Sequence, residues 1–245
     1  MNEFYDEELA EIYDLLYPDL GESDQIAQYL HVNAPGDRII EFGVGTGHLA
    51  IPLAQRGLIV HGIDNSEEML RKMAAKDLRG LVASSVHDFG RDEMPEGEFD
   101  ACLLACNTIC SVLDVTAQRR IFANAARSLN EDGIFVVQTF NPLWLQQRGT
   151  EFTQMRTLNA DLTLIEQYKI FPTVQEIVVL NTLLRHAGGV KSFTHRIRFM
   201  HPFEMDAHAM AAGFELQERH GDFCGNPYTA TSPHFVSTYL KVGEW

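Results

Sequence analysis

The sequence predicts an α/β fold with a mostly parallel sheet and one antiparallel β insertion. Short apolar runs alternate with segments of helical spacing over residues 36–142 and again over 201–245, as in strand–helix–strand units. Between them, residues 143–200 alternate β-branched and polar side chains, and Ala187-Gly188-Gly189 indicates a hairpin turn. A chain of 245 residues is long enough for one large domain with such an insertion.

The segment 38–48 organises the rest of the chain. Its apolar residues predict a buried strand, which breaks into Gly43, Gly45 and Gly47 before a segment of helical spacing. A backbone that turns sharply and contacts a ligand has no room for a Cβ atom at the contact points, so a nucleoside-bearing ligand is predicted. The dinucleotide pattern Gly-x-Gly-x-x-Gly would place its third glycine at position 48, which is His48. A loop without a ligand is the alternative.

A second signal for this ligand is Asp64, which ends the apolar run 58–63 and lies 21 residues after Gly43. The topology places its carboxylate beside a ribose, whose two hydroxyls can donate hydrogen bonds to it. Asn65 follows in the same turn, and Ser66 is the predicted N-cap of the next helix. The alternative is that Asp64 is an ordinary turn or cap residue, but its spacing from the glycine turn favours the ligand.

The predicted strands 81–84 and 99–105 are also followed by candidate site residues. Asp88 could accept a hydrogen bond from the adenine amino group and Phe89 could cover the ring, with a helix or turn cap as the alternative. Cys106 and Asn107 follow the later strand, at the edge where ligands bind in such sheets. The cysteines show no Cys-x-x-Cys spacing and no nearby histidine, so they are interpreted as buried small residues and no metal site is predicted.

Residues 1–35 are predicted to form two helices that precede the first strand and act as a lid. Tyr5, Tyr13 and Tyr17 are its aromatic candidates, because an electron-rich ring or a phenol oxygen can face a cation or hold a carboxylate. Packing of an amphipathic helix is the alternative for each of them.

Charge and composition limit the classes of partner and the cellular location that are expected for this chain. The formal charge of −15, from 34 acidic and 19 basic residues, repels phosphate backbones, so nucleic acid is not an expected partner. The insertion carries seven Lys/Arg and four Asp/Glu, which gives it +3 and leaves −18 for the rest. A cytoplasmic protein is expected, since the cysteines form no paired framework and the N-terminus lacks an apolar signal-peptide core. No stretch approaches the roughly 18 apolar residues that cross a bilayer.

The acidic glycine turn at 41–47, Asp64, the Asp88-Phe89 pair and the turn at 129–133 together resemble the class I S-adenosylmethionine (SAM) methyltransferases. In that family an acidic residue, here Glu41, stands two positions before Gly-x-Gly-x-Gly. The resemblance implies a Rossmann-like fold with a seven-stranded, mostly parallel sheet whose last strand is antiparallel. It also implies SAM as the cofactor and methyl transfer as the activity, so 36–142 and 201–245 would form the SAM-binding domain.

The chain is similar, more narrowly, to small-molecule N-methyltransferases that act on amino sugars. The shared features are Tyr5 followed eight residues later by Tyr13-Asp14, an antiparallel lid at the same point, and His195-Arg196-Ile197 before the penultimate helix. This similarity implies that Tyr5 lies near the transferred methyl group and Tyr13 at the methionine end of SAM. The sugar enzymes carry a proton-accepting histidine after the fourth strand, where this chain has Ser111. A nitrogen or an oxygen acceptor in specialised metabolism is therefore expected.

The insertion is predicted to supply the acceptor pocket. It follows the fifth strand and so begins beside the carboxyl ends of the strands, where ligands bind in open α/β sheets. Arg196 and Arg198 share one strand face next to His195 and could pair with a small anionic or carbonyl-rich acceptor. Tyr17 and Asn107 are further candidate acceptor contacts, and His195 is a candidate base. Alternatively, the arginines neutralise an acidic surface or form the contact of a homodimer.

Two other functions fit parts of the sequence. A SAM-binding protein that does not methylate, such as a cyclase, a pericyclase or a regulatory binder, would explain the missing base. A nicotinamide oxidoreductase is disfavoured by the glycine spacing and by the absence of a catalytic Tyr-x-x-x-Lys.

Overall fold

The chain is described here from a computed structural model, which covers residues 7–19 and 21–242, with only the helical backbone for 7–11. Tyr5, the residue predicted to face the methyl group, lies outside these residues. The helices are α1 (Glu7–Leu16), α2 (Glu22–Asn33), α3 (Ala50–Gln55), α4 (Glu67–Lys76), α5 (Val115–Ser128), α6 (Pro142–Gln146) and α7 (Pro202–Ala211). The strands are β1 (Arg38–Phe42), β2 (Ile59–Asp64), β3 (Ala83–Val86), β4 (Phe99–Leu104), β5 (Leu129–Phe140), β6 (Glu151–Asn159), β7 (Leu162–Phe171), β8 (Glu176–Arg185), β9 (Val190–Arg198), β10 (Phe214–His220) and β11 (His234–Lys241).

The main sheet has seven strands in the order β10-β11-β5-β4-β1-β2-β3. β11 runs antiparallel to both β5 and β10, and the pairings among β1 to β5 are parallel. This architecture confirms the predicted Rossmann-like sheet with an antiparallel last strand. Because β1, β2, β4 and β5 run in one direction, the turns that follow them meet at one edge of the sheet.

The core lies on both faces of this sheet, since successive residues of a strand point to opposite sides. On one face, α5 and α7 pack through Phe122 and Met205 against a cluster that contains Ile40. On the other face, α2 and α3 pack through Leu30 and Leu53. The central strands are buried on both sides, which explains their nearly continuous apolar sequence.

Strands β6 to β9 form a separate four-stranded antiparallel sheet in sequential order. Leu16 of α1 packs on one part of its inner face, with Leu162, Leu164 and Leu183. Leu145 of α6 packs on another part, with Ile170. The insertion is therefore covered by the N-terminal helices on one side and by the end of β5 and α6 on the other.

Two local features refine the sequence prediction. The predicted turn at 130–133 is an unpaired irregularity within β5: Leu129 pairs with Phe99 and Ile134 with Ala101, and Asp132 has a positive φ of 62°. Helix α6 was not predicted, because five residues are too short to show helical spacing. Asn141 caps it by accepting a hydrogen bond of 3.0 Å from the Leu143 N–H. Within 7–19 and 21–242, no helix is long and apolar enough to cross a membrane.

Candidate functional site

Two cavities lie side by side along the carboxyl edge of the main sheet. The first cavity, of about 310 Å³, is formed by the turns after β1, β2 and β3 together with the segment 108–117. The second cavity, of about 520 Å³, lies between the ends of β4 and β5 and the inner face of the four-stranded sheet. Tyr13, Thr108 and Ser111 line both cavities. A ligand in either cavity would thus share a wall with a ligand in the other.

The glycine turn forms one side of the first cavity. Gly43, Gly45 and Gly47 all have positive φ angles, of 75°, 55° and 74°, which favour glycine. A Cβ atom on Gly45 would meet no atom within 4 Å, because this residue borders the open cavity. A Cβ atom on Gly47 would lie 2.5 Å from Met73 Cγ, and Gly47 does not line either cavity. Gly47 is thus needed for close packing against Met73 of α4, and its predicted contact with the cofactor stays a prediction.

Asp64 lies opposite this turn, at the end of β2. Its carboxylate accepts hydrogen bonds of 2.9 Å from the backbone N–H groups of Gly45 and Ser66. Burial raises the pKa of Asp64, and these backbone bonds oppose the rise. Asp64 and Asn65 both line the first cavity. The carboxylate thus holds the turn in shape and presents acceptor oxygens to the cavity.

Asp88 and Phe89 form the far side of the first cavity. The Phe89 ring stacks on Phe42 with centroids 5.4 Å apart, so one of its faces is already covered. Asp88 accepts a hydrogen bond of 3.0 Å from the Gly90 N–H and lies 3.8 Å from the Arg91 guanidinium. The cavity therefore offers an aromatic surface, the carboxylates of Asp64, Asp88 and Asp114, and a bare glycine backbone. This set fits an adenosine group, with acceptors for its amino and hydroxyl donors.

Glu41 lies beneath the glycine turn and lines neither cavity. It is only 5 % exposed, and its Oε2 atom has no hydrogen-bond partner among the residues that the structure describes. Burial and the neighbouring charge of Asp64 raise the pKa of Glu41 to about 8. The predicted direct contact with the cofactor is not seen in this placement, and Glu41 acts on the site from behind the turn.

The turn after β4 borders the second cavity. Cys106 and Asn107 have left-handed φ angles of 54° and 61°, which cost roughly 1–3 kcal/mol for each residue that is not glycine. Two bonds to β5 hold this turn: the Cys106 N–H donates to Gln138 Oε1 at 2.7 Å, and the Phe140 N–H donates to Asn107 Oδ1 at 2.6 Å. Cys106 was expected beside the cofactor, but it lines the second cavity, as does Asn107.

Glu22 and Gln138 are site residues that sequence reasoning missed. Gln138 Nε2 donates to Glu22 Oε1 at 3.2 Å while its Oε1 accepts from Cys106, so one amide side chain orients the carboxylate and the turn. Burial and the nearby charge of Asp19 raise the pKa of Glu22. In the described part of the chain no cation forms an ion pair with Glu22. The signal available in the sequence was Gln138, a polar residue inside the apolar run 134–140.

The inner face of the four-stranded sheet carries a closed polar network. The buried Glu166 carboxylate accepts bonds from Gln154 (2.9 Å), Arg156 (3.0 Å) and Tyr168 (3.1 Å). Its charge is therefore neutralised inside the network. Tyr17 lines the same cavity, where desolvation of its phenol and the charge of Glu166 raise its pKa, so Tyr17 stays protonated at neutral pH.

His195 points into the second cavity from β9. Asn181 Nδ2 lies 3.0 Å from His195 Nδ1 and also donates to the Val179 carbonyl, which makes Nδ1 the acceptor and leaves the ring proton on Nε2. Burial lowers the pKa of His195 to about 4. A neutral ring with its proton on Nε2 is a hydrogen-bond donor to the cavity, which disfavours the predicted role of His195 as a base.

Arg196 and Arg198 lie on the face of β9 opposite to His195. Arg196 is half exposed, lines the second cavity and pairs with Glu176. Arg198 is buried, pairs with Glu204 at 2.6 Å and lines neither cavity. This placement corrects the expectation that Arg198 contacts the acceptor, because its guanidinium is used between β9 and α7.

Comparisons with known proteins agree with the fold and with the first cavity. Residues 39–133 match the family described as methyltransferase domain. The structure of the CcbJ methyltransferase from Streptomyces caelestis is 30 % identical, with a TM-score of 0.88 over 98 % of this chain and 100 % of that chain. The cypemycin N-terminal methyltransferase of a Streptomyces species is 25 % identical over 231 residues, which are 93 % of this chain and 94 % of that protein. The amino pentose methyltransferase CalS10 from Micromonospora echinaspora shares the fold, with a TM-score of 0.74 over 98 % of each chain at 18 % identity.

A Rossmann-like sheet with an antiparallel last strand, a glycine turn and a carboxylate at the end of β2 is typical of enzymes that bind a nucleoside cofactor at the carboxyl edge of the sheet. Together with the matches, it shows that the chain belongs to the class I SAM-dependent methyltransferases, with SAM as the cofactor and a reaction of the small-molecule type.

Proposed function

We propose that this methyltransferase acts on an amine nitrogen of a small molecule that binds in the second cavity. The observation that carries the proposal is the half-buried carboxylate of Glu22, which faces this cavity without an ion-pair partner in the described residues. A cationic ammonium group is the ligand that such a carboxylate favours. A phenolate or carboxylate acceptor would be repelled at the same place.

The first cavity is proposed to hold SAM through Gly43, Gly45, Asp64, Asn65, Asp88 and Phe89, with Tyr13 at the methionine end. When bound, SAM supplies a methyl group on a positively charged sulfur. The shared wall of Tyr13, Thr108 and Ser111 would bring an acceptor nitrogen to that methyl group. Positioning of the two reactants accounts for much of the rate of such in-line displacements.

Glu22 is proposed to accept a proton from the bound ammonium group first, which frees the nitrogen lone pair. The carbon–nitrogen bond then forms as the carbon–sulfur bond breaks, and the sulfur leaves as a neutral thioether. The raised pKa of Glu22 lies closer to neutral pH than that of an exposed glutamate, and a base works best near the operating pH. The name of the cypemycin N-terminal methyltransferase supports a nitrogen target, and an acceptor from specialised metabolism follows from the sequence resemblance.

The experiment compares Glu22→Gln with the wild type on matched panels of amines, phenols and carboxylic acids, with product mass as the readout. We expect only amines to gain the mass of one methyl group in the wild type. Glu22→Gln should lower their methylation about 10²-fold, because it removes the base but keeps the bond to Gln138. The control is Glu215→Gln, an exposed glutamate of β10.

Calorimetry should show unchanged SAM affinity in both variants. Methylation of phenols alone, or full amine activity in Glu22→Gln, would contradict the proposal.

A further inference from the structure

We infer that Arg148 forms an anion subsite in the second cavity, so that the methyl acceptor carries a carboxylate or phosphate group at a distance from its amine. The amine part of this inference rests on the proposed function, whereas the anion part rests on Arg148 and its surroundings alone.

The guanidinium group of Arg148 is held between two aromatic rings. Its central carbon lies 5.0 Å from the ring centre of Trp144 and 5.0 Å from that of Phe152. Phe152 in turn stacks on Tyr168, with centroids 4.6 Å apart and an angle of 11° between the rings. Arginine stacks on aromatic faces while its N–H groups point outward in the plane. The rings thus fix the orientation of a cation that lines the second cavity.

The charge of Arg148 is not neutralised by the described residues. The other two arginines of this cavity are paired, Arg156 with Glu166 and Arg196 with Glu176. Glu151, close to Arg148 in sequence, pairs with Lys169 at 3.2 Å. Among the described residues, the Arg148 guanidinium donates only to the neutral Gln154 Oε1, at 3.3 Å. Most of its five N–H donors remain for a ligand, and their fork matches the two oxygens of a carboxylate or phosphate.

The cavity is large enough for an acceptor with two charged ends. About 520 Å³ lies within the range of pockets that enclose drug-sized molecules, whereas a simple amine would fill a small part of it. Glu22 enters from α2, on the side of the main sheet, and Arg148 follows α6, on the side of the insertion. The other arginines and glutamates that line the cavity neutralise one another or a neighbour in ion pairs. Glu22 and Arg148 are therefore the two charges, of opposite sign, that this lining offers to a ligand. An amine with an anionic group is complementary to this arrangement.

Trp144 allows the subsite to be tested without turnover. The chain has two tryptophans, Trp144 and Trp245, so a Trp245→Phe background isolates the signal of the ring that contacts Arg148. The probes are benzoate, phenyl phosphate and the uncharged benzamide. We expect saturable changes in Trp144 fluorescence with an anionic probe and binding of benzamide at least about tenfold weaker, because a hydrogen-bonded charge is lost. Whichever of benzoate and phenyl phosphate binds more tightly identifies the anion.

The test variant is Arg148→Gln, and the matched control is Arg185→Gln, an exposed arginine at the end of β8 that lies outside the cavity. Arg148→Gln should weaken binding of the anionic probe about tenfold or more and leave benzamide binding unchanged, while Arg185→Gln should match the wild type. Equal anion affinity in Arg148→Gln and the wild type, or benzamide binding as tight as that of both anions, would overturn the inference.

A turnover experiment separates this inference from the proposed function. An amine that carries a carboxylate and its carboxamide analogue are compared as acceptors. Arg148→Gln should raise KM for the carboxylate about tenfold and change kcat little, since Arg148 binds a part of the acceptor away from the reacting nitrogen. If amines are methylated but the two analogues behave alike, the subsite fails while the proposed function stands. If no amine is methylated but anion binding depends on Arg148, the proposed function fails while the subsite stands.

Discussion

At the scale of single residues, the unusual feature is the pair of carboxyl groups beneath the glycine turn. Glu41 is buried with one oxygen atom unpaired, and Asp64 is largely buried but receives two backbone N–H bonds. Because Asp64 has these donors and Glu41 lacks them, the negative charge is better stabilised on Asp64. Glu41 is therefore the group that holds a proton near neutral pH, with a pKa of about 8. The pair of Asp64 and Glu41 thus contributes one negative charge, on Asp64, to the first cavity.

The shifted pKa of Glu41 predicts that the protein loses stability as the pH rises and that Glu41→Gln abolishes this loss. The folded-state pKa of Glu41 is about 8 and its ordinary value is 4.5, so the folded protein binds the proton more tightly than the unfolded chain. Its contribution to stability is complete below pH 4.5 and is lost as the pH rises to about 8. A glutamine carries no charge, so the variant should gain on the order of 4 kcal/mol over the wild type at about pH 8 and little at about pH 5.

Urea unfolding across this pH range measures the difference, with the exposed Glu215→Gln as the control. The same pH dependence in wild type and Glu41→Gln would show that Glu41 does not hold the shifted proton.

At the scale of elements, α1 is fastened to the cofactor side of the site through Asp14. Asp14 Oδ1 accepts a bond of 2.5 Å from the hydroxyl of Thr46, inside the glycine turn. Its Oδ2 pairs with Lys76 of α4 at 2.6 Å. The preceding residue, Tyr13, lines both cavities. One side chain thus joins the predicted lid helix to the cofactor turn and places Tyr13 at the wall between the cavities.

Asp14→Ala should loosen this attachment. We expect faster amide hydrogen exchange in 7–16 and about fivefold weaker SAM binding, since about 1 kcal/mol of hydrogen bonding to the turn is lost. Asp37→Ala is the control, because this exposed carboxylate pairs with His31 away from both cavities. Hydrogen exchange read by mass spectrometry, with and without SAM, checks both effects. Unchanged exchange in 7–16 would show that α1 is held by its apolar face alone.

The elements themselves were largely predictable from sequence. β6 to β9 lie within 143–200, where alternating β-branched and polar residues predicted antiparallel strands. The cap of α4 was also predictable: Ser66 accepts from the Met69 N–H at 3.3 Å. The turn predicted at 130–133 from its Asn-Glu-Asp-Gly sequence is found as the stretch between Leu129 and Ile134 that has no partners in β4, and Asp132 there has a positive φ.

The residues of the candidate site were predictable from sequence where each of them directly follows a strand of the parallel sheet. The glycine turn, Asp64 and Asp88-Phe89 each follow a strand, so their meeting at one edge follows from parallel pairing. Glu22 and Gln138 could not be paired from sequence, because 116 residues separate them and only the folded chain brings them together. The opposite faces of His195 and Arg196 were predictable in principle, since adjacent residues of a strand point to opposite sides.

At the scale of the whole molecule, the two sheets are joined by a buried polar cluster around Arg198. Its guanidinium donates to Glu204 of α7 and Gln175 before β8, and also to Gln118 of α5. Gln118 Nε2 in turn donates a hydrogen bond of 3.3 Å to the carbonyl of Ile109, which lies in the turn between the two cavities. The four-stranded sheet is therefore tied to the main sheet through the same segment that separates cofactor from acceptor. Arg198, which the sequence analysis predicted to bind the acceptor, thus holds the insertion in place.

The last prediction measures this connection with a double-mutant cycle on Arg198 and Glu204. Arg198→Met should destabilise the protein by about 2–3 kcal/mol, because it leaves the partly buried Glu204 carboxylate without its cation and removes the donors to Gln118 and Gln175. Adding Glu204→Met should recover part of that loss, since the uncompensated charge is then removed. The matched control is Arg196→Met, whose exposed pair with Glu176 should contribute less than about 1 kcal/mol. Urea unfolding gives the four free energies, and hydrogen exchange in 151–198 shows whether the insertion opens first. If Arg198→Met is no more destabilising than Arg196→Met, the buried cluster does not hold the two sheets together.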